Sequence, residues 1–228
     1  MNSSRLLGFI AIAAVFTGCL ALAQTTTNGP VSAAATNTAP ALTKETGEKP
    51  WSFSASVYTY VVPDSRDYAQ PTVTADRDWL HLEARYNYEA LETGSAWLGC
   101  NFGGGEKLAW QITPMLGGVF GNTTGIAPGC KGSLSWWKLG LSSESEYVFD
   151  TRDSSESFFY NWSELTLAPL DWFRLGAVTQ RTRVYHTDRE VQRGFLVGLS
   201  YKTASLTTYV FNPDESKPTL VLAVALSF

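Results

Sequence analysis

The last ten residues of the chain alternate strictly between large apolar and smaller side chains. One face carries Leu220, Leu222, Val224, Leu226 and Phe228, and the other carries Thr219, Val221, Ala223, Ala225 and Ser227. A period of two residues is that of a β-strand, in which successive side chains point to opposite faces. Ten residues also match a tilted strand that crosses a bilayer, whereas a helix needs about 20 apolar residues to do so. The stretch therefore predicts a β-strand with one apolar face.

Runs of the same texture, rich in aromatic and β-branched residues, fill the chain from Trp51 onward and predict an all-β fold. Together with the last stretch they make ten predicted strands, at Trp51–Val62, Asp78–Leu91, Ser95–Phe102, Lys107–Leu116, Ser133–Asp150, Ser157–Ala168, Trp172–Tyr185, Val191–Tyr201, Ser205–Asn212 and Thr219–Phe228.

The connections between these runs alternate in length, which is typical of an up-and-down antiparallel β-barrel. The tight connections are Thr93–Gly94, Ala168–Asp171 and Lys202–Ala204, and the longer ones are Pro63–Arg77, Thr151–Glu156, His186–Glu190 and Pro213–Pro218. Two links do not fit, because Gly103–Glu106 is short for a loop and Gly117–Gly132 is long for a turn. A barrel of about ten strands is therefore predicted, with eight or twelve still open.

Side-chain parity separates an apolar face from a charged face along these strands. In the second run the apolar face holds Leu80, Leu82, Ala84, Tyr86, Tyr88 and Ala90, and the polar face holds His81, Glu83, Arg85, Asn87 and Glu89. The fifth run opposes Trp137, Leu139, Leu141, Tyr147 and Phe149 to Lys138, Glu144 and Glu146. Aromatic residues near strand ends, such as Tyr86, Tyr88, Tyr147 and Phe149, suit bilayer interfaces. We therefore expect lipid outside and charge inside.

The chain ends on Phe228, the last residue of the apolar strand Thr219–Phe228. A terminal aromatic residue on such a strand resembles the C-terminal assembly signal of bacterial outer-membrane β-barrel proteins. The resemblance implies a transmembrane barrel in the outer membrane, with outer-membrane lipids and the barrel-assembly machinery as partners. Phe228 is then the membrane-assembly signal.

The first fifty residues predict an exported chain. Met1–Ala23 has the features of a secretory signal peptide, with one basic residue, an apolar run and a small-residue cleavage site before Gln24. A lipoprotein signal is the alternative, because Thr17-Gly18-Cys19 is similar to a lipobox. Residues 24–50 are rich in Thr, Ala, Asn and Pro and predict a disordered periplasmic leader before the barrel of residues 51–228.

The charge of the chain limits the partners it can bind, and its cysteines limit the disulfides it can form. Without Arg5 the chain has 17 − 1 = 16 basic against 21 acidic residues, a formal charge of −5 with no basic block, which argues against nucleic acid. Cleavage leaves Cys100 and Cys130. They could form a disulfide in the periplasm or be two unrelated small apolar residues, because spacing alone does not show that the sulfurs meet.

Buried charges are tolerated when they are paired, so a narrow lumen predicts a charge network. Its predicted members are His81, Glu83, Arg85, Glu89, Lys138, Glu144, Glu146, Glu164 and Arg174. The network could be structural filling, or it could line a narrow path for ions or small solutes. Surface interaction through the external loops is a further role.

Two other classes of function stay as alternatives. One is a secreted soluble β-sandwich that binds a ligand. The other is an outer-membrane lipid-modifying enzyme that uses His186 in a predicted external loop, although no nucleophile is placed beside it. The histidines and cysteines are too dispersed to predict a metal site, and no cofactor motif is recognisable.

Overall fold

A computed structural model describes residues 50–181 and 191–228. The predicted signal peptide, most of the predicted leader and His186 lie outside these described residues. Within them the strands are β1 Ser52–Val61, β2 Tyr68–Arg77, β3 Leu80–Tyr86, β4 Thr93–Cys100, β5 Phe102–Gly104, β6 Leu108–Gly121, β7 Gly125–Trp136, β8 Leu139–Asp150, β9 Phe158–Leu170, β10 Phe173–Arg181, β11 Gln192–Tyr201, β12 Ala204–Phe211 and β13 Thr219–Ser227. A 3₁₀ turn spans Ser154–Glu156. No helix in this part of the chain is long and apolar enough to cross a membrane.

The strands form one closed antiparallel sheet in which neighbours in sequence pair, except that β4 and β5 both pair with β6. The barrel closes where β1 pairs with β13, for example at Val57 opposite Val224. Phe228 extends this seam, because its backbone exchanges hydrogen bonds of 2.8 and 3.0 Å with Phe53. The predicted up-and-down β-barrel is therefore confirmed, and the β-sandwich alternative, which needs two packed sheets, is wrong.

The short strand β5 continues β4 and does not add a wall position. Both pair with β6 in one register, since Gly99 faces Met115 and Phe102 faces Ile112. The ladder is interrupted in between, near Pro114, which has no backbone N–H to donate. The barrel therefore has twelve strand positions.

Twelve strands, a number that the sequence left open, are observed where about ten were expected, and the difference has two causes. The predicted loop Pro63–Arg77 contains β2, and the predicted link Gly117–Gly132 contains the end of β6 and most of β7. In addition, the predicted run Ser133–Asp150 holds the last four residues of β7, the turn 137–138 and all of β8. The two-residue turn at 137–138 was not recognised because it contains no glycine. Trp137 itself adopts the left-handed conformation there, with φ 54°.

The two ends of the barrel differ in their connections. One end, here called the turn end, carries both termini of the barrel and the short connections 78–79, 105–107, 137–138, 171–172 and 202–203. The opposite loop end carries the longer connections 62–67, 87–92, 151–157 and 212–218, together with the short turn 122–124. Thr93–Gly94, predicted as a tight connection, instead begins β4 at the loop end. This correction follows directly from the missed strand β2.

Candidate functional site in the barrel lumen

The barrel carries charge inside and apolar side chains outside. On β3, His81, Glu83 and Arg85 are buried in the lumen, whereas Leu82 and Tyr86 are 37 % and 47 % exposed on the outer wall. The same period of two places Glu144 and Glu146 of β8 inside, between the outward residues of that strand. The lumen therefore collects ionisable side chains from strands far apart in sequence.

Arg85 is the centre of the larger group of charges, and its side chain is fully buried. Its Nε donates to Glu83 Oε1 at 2.7 Å, and its Nη1 donates to Glu146 Oε2 at 2.9 Å. Glu144 Oε1 lies 2.6 Å from Nη2, and Glu89 Oε1 lies 3.7 Å from Nη1. One guanidinium thus holds four carboxylates from β3, β8 and the connection 87–92.

Two aromatic rings fix the plane of this guanidinium. Its Cζ lies 4.3 Å from the ring centre of Tyr88 and 4.5 Å from that of Trp97, distances that give cation–π attraction. The indole of Trp97 fits because Gly117 lies against it, where a Cβ atom would come within 2.5 Å of the ring. The Arg85 side chain is therefore held by packing as well as by charge.

Lys131 and His81 extend the group of charges towards the turn end. Lys131 Nζ donates to Glu83 Oε2 and lies 3.6 Å from Glu144 Oε2. His81 bonds Glu83 through Nε2 at 2.9 Å and Asp76 through Nδ1 at 2.7 Å. The residues in this Arg85 network are Asp76, His81, Glu83, Arg85, Glu89, Lys131, Glu144 and Glu146.

A second, smaller ion pair lies on the other side of the lumen. Arg174 Nη1 donates to Glu164 Oε2 at 3.2 Å, and its Nη2 donates to the Thr207 hydroxyl at 2.8 Å. Glu164 Oε1 also accepts hydrogen bonds from Tyr209 and Trp162. Aromatic side chains pack beside this pair, with edge or stacked contacts among Tyr58, Trp162, Tyr209 and Phe211. The loop-end half of the lumen is consequently filled with side chains.

Acidic groups outnumber basic groups in the Arg85 network. Its five carboxyl groups face one arginine and one lysine, with His81 as a third group that can carry positive charge. Three carboxyl oxygens, Glu89 Oε2, Glu144 Oε1 and Glu146 Oε1, are buried without a hydrogen-bond partner, and of these only Glu144 Oε1 has an ion-pair contact, at 2.6 Å from Arg85 Nη2. Buried, unpaired carboxylate oxygens are costly, because they lose their hydration without gaining a donor.

The structure brings together most of the predicted lumenal residues, but it divides them into two groups. His81, Glu83, Arg85, Glu89, Glu144 and Glu146 belong to the Arg85 network, and Glu164 and Arg174 form the separate pair. The prediction for Lys138 was wrong, because this residue lies in the turn 137–138 and its Nζ donates to the Pro169 carbonyl at 2.6 Å. Tyr88 was also assigned to the wrong face, since the strand ends at Tyr86 and the parity is lost at Asn87.

Lys131 is the lumenal cation that the sequence did not reveal. It lies in the middle of β7, whose Gly and Pro residues predicted a loop. One signal could have found it: the excess of predicted lumenal acids required a further base.

Of the two alternatives for Cys100 and Cys130, the disulfide between them is not formed, because Cys130 is a free, exposed thiol. The register gives the reason. Gly99 faces Met115 on one side of β6, and Cys130 faces Pro114 on the other side. Two strand spacings of about 4.8 Å therefore separate the two cysteines, more than the about 7 Å between Cα atoms that a disulfide can span.

Within residues 50–181 and 191–228, no three His, Cys, Asp or Glu side chains are grouped so that they could hold a metal ion. No protein-family model matches the chain, and no curated protein matches it in sequence.

Proposed function

We propose that this chain is an integral outer-membrane β-barrel with a narrow polar lumen for ions or small solutes, which side chains close in the present state. The single observation that carries the proposal is the inverted polarity of the barrel. Each of the twelve strand positions exposes at least one large apolar side chain, while charged residues such as Glu83, Arg85 and Glu146 are buried. Lipid is the solvent that suits such a wall.

The exposed apolar surface is too continuous for an isolated barrel in water. Monomeric soluble proteins rarely expose apolar patches larger than a few hundred Å², since each Å² costs about 25 cal/mol. On β13 alone, Leu220, Leu222, Val224 and Leu226 are each 43–46 % exposed. This face is the apolar one that the sequence predicted for the last strand.

Aromatic side chains at the two ends of the wall support a bilayer-spanning position. Near the turn end, exposed aromatic residues are Trp51, Phe53, Trp110, Trp136, Trp137, Trp172, Tyr201 and Phe228. Near the loop end they are Tyr86, Phe120, Tyr147, Phe149, Phe159 and Phe195. Two such girdles are typical of transmembrane barrels, because amphipathic rings favour the bilayer interfaces.

The proposal gives the barrel an orientation. Short turns face the periplasm in outer-membrane barrels and longer loops face outward, so the turn end is periplasmic and the connections 62–67 and 212–218 are external. Phe228 then lies on the periplasmic side, where the assembly machinery would receive it.

Fractionation and electrophoresis test the membrane location. The protein should remain in the outer-membrane fraction after a carbonate wash and require detergent for extraction. Unheated samples should migrate differently from boiled samples, because a folded barrel resists dodecyl sulfate. A chain that is monodisperse in buffer without any amphiphile contradicts the proposal.

Planar-bilayer recordings test the passage of ions separately from membrane location. Purified barrels should give small, discrete conductance steps, since a twelve-stranded barrel is narrower than the 16–18-stranded porins. A silent barrel that nonetheless resides in the outer membrane would leave a structural or surface role in place of passage.

A further inference from the structure

The connection between β3 and β4, residues 87–92, is folded into the barrel and is here called the inward loop. Its base is pinched, because Asn87 N donates to the Thr93 carbonyl at 2.8 Å and Glu92 N donates to Asn87 Oδ1 at 2.7 Å. Asn87 and Glu92 both have left-handed backbones, with φ of 58° and 55°. These two residues turn the intervening segment towards the lumen.

The inward loop reaches the opposite side of the lumen. Leu91 packs against the buried cluster that includes Tyr60, Leu196 and Phe211, from strands β1, β11 and β12. The Tyr88 hydroxyl lies 3.1 Å from that of Tyr160 on β9. The loop therefore crosses the loop end of the lumen and helps to close it.

Glu89 is the charged residue that the inward loop carries into the lumen, and it is completely buried. Its Oε1 accepts hydrogen bonds from Ser95 Oγ at 2.6 Å and Trp97 Nε1 at 3.3 Å. Its Oε2 has no hydrogen-bond partner. The loop is thus held at Glu89 by only one of its two carboxyl oxygens.

Glu89 and Glu146 share one nitrogen of Arg85. Nη1 lies 3.7 Å from Glu89 Oε1 and 2.9 Å from Glu146 Oε2, so the two carboxyl groups are neighbours. Glu146 Oε1 also lacks a hydrogen-bond partner. Two buried carboxyl groups that share one guanidinium nitrogen and have one unpartnered oxygen each form an arrangement that a single proton stabilises, because both cannot be ionised cheaply beside one shared cation.

The surrounding positive charges do not neutralise both carboxyl groups of the Glu89–Glu146 pair. Arg85 also neutralises Glu83 and Glu144, and Lys131 contacts those same two glutamates. The other titratable groups that face the pair are the hydroxyls of Tyr88 and Tyr160, which bond each other. Glu89 and Glu146 are therefore left to share part of one guanidinium.

We propose that a proton bound by the Glu89–Glu146 pair latches the inward loop in the lumen, and that loss of this proton releases the loop and opens the loop end. In the latched state one carboxyl is neutral and removes the repulsion. In the released state both are ionised, and the loop carries Glu89 back to water around its base at Asn87 and Glu92. The step moves one proton to solvent and breaks no covalent bond.

The pKa of Glu89 supports the direction of this switch. Burial raises the pKa of Glu89 above its ordinary value, against the opposing effects of Arg85 and of the Ser95 hydrogen bond. A carboxyl whose pKa is raised in the closed state stabilises that state fully at pH values below its ordinary pKa. This stabilisation is lost as the pH rises through the raised pKa, so alkaline conditions favour release.

Thiol labelling of the inward loop tests the proposal in the full-length barrel in detergent micelles. Leu91→Cys is made in a Cys100→Ala, Cys130→Ser background, and its rate of reaction with a hydrophilic maleimide is divided by that of Ser65→Cys, in an exposed loop. The division removes the intrinsic effect of pH on thiol reactivity. From about pH 5 to about pH 8 the ratio should rise by about tenfold or more, since one proton changes an equilibrium up to tenfold per pH unit.

Glu89→Gln and Glu92→Gln are the matched variants, because both remove one carboxyl from the inward loop. Glu89→Gln should keep the ratio low at both pH values, as its amide supplies a donor beside Glu146. Glu92→Gln should follow the wild type, because Glu92 is exposed. Unheated electrophoresis shows whether each variant is folded. If Glu89→Gln does not fold, Glu146→Gln takes its place, because it removes the other carboxyl of the pair.

This inference rests on the proposed function only in treating the lumen as a path. The labelling results can therefore be distinguished from the tests of membrane location. A ratio that does not change with pH in the wild type overturns the latch even if the barrel resides in the membrane. So does a Glu89→Gln variant whose ratio rises as in the wild type. Fractionation outside the membrane overturns the proposed function, whereas the labelling ratio alone decides whether the latch exists.

Discussion

At the scale of single residues, Arg85 is the position at which one substitution leaves the most charge uncompensated. Arg85→Met would strand four carboxyl groups, at Glu83, Glu89, Glu144 and Glu146, in the lumen. Removal of one partner from a buried charge group costs about 3–5 kcal/mol. We expect a loss of this size in the free energy of unfolding, measured by urea titration in detergent with unheated electrophoresis as the readout.

Lys138→Met provides the control for this prediction. Lys138 lies in a turn and makes one hydrogen bond to the Pro169 carbonyl, so its loss should cost less than about 1 kcal/mol. A result in which Lys138→Met destabilises the barrel as much as Arg85→Met would contradict the assignment of Lys131, rather than Lys138, to the lumen.

The lumenal residues divide into those that parity could predict and those that it could not. His81, Glu83 and Arg85 follow strict alternation on β3, so their common face was predictable from the sequence. Tyr88 lies beyond the end of that strand, where the left-handed residue Asn87 ends the alternation. Which carboxyl meets which base depends on contacts across the lumen, and no local pattern carries that information.

At the scale of secondary structure elements, two strands were missed because their sequences lack the usual strand signals. β2 contains Pro71, and Val73 is its one large apolar residue on the wall. β7 contains Gly125, Pro128, Gly129 and Gly132, which predict turns. The β7–β8 ladder has a gap opposite Pro128, so the missing N–H of proline costs no hydrogen bond there. The closed sheet therefore supports strands that are weak on their own.

The register between β1 and β13 can be tested with paired cysteines. Val57 and Val224 face each other across the closing seam, so Val57→Cys with Val224→Cys should form a disulfide, in a Cys100→Ala, Cys130→Ser background. The cross-link would join distant parts of the chain and accelerate the boiled, non-reduced protein in electrophoresis.

The offset pair Val57→Cys with Leu222→Cys is the control for register. Diagonal neighbours of this kind lie about 7–8 Å apart, beyond the ordinary reach of a disulfide. Faster oxidation of the offset pair than of the directly facing pair would show that the seam is shifted by two residues.

At the scale of the whole molecule, the inverted polarity makes opposite predictions for a barrel in lipid and a barrel in water. Leu222 is 46 % exposed near the middle of β13, whereas Tyr201 is 75 % exposed beside the short turn 202–203. In a bilayer, Arg on the lipid face costs about 2–4 kcal/mol at the midplane and about 0–1 kcal/mol near the interfaces. In water, both positions are solvated and both substitutions are nearly neutral.

We therefore expect Leu222→Arg to lower the free energy of unfolding in phospholipid vesicles by about 2–4 kcal/mol, and Tyr201→Arg by less than about 1 kcal/mol. Equal effects at the two positions would mean that depth in a membrane does not determine the cost, and the outer wall would then have to contact something other than lipid.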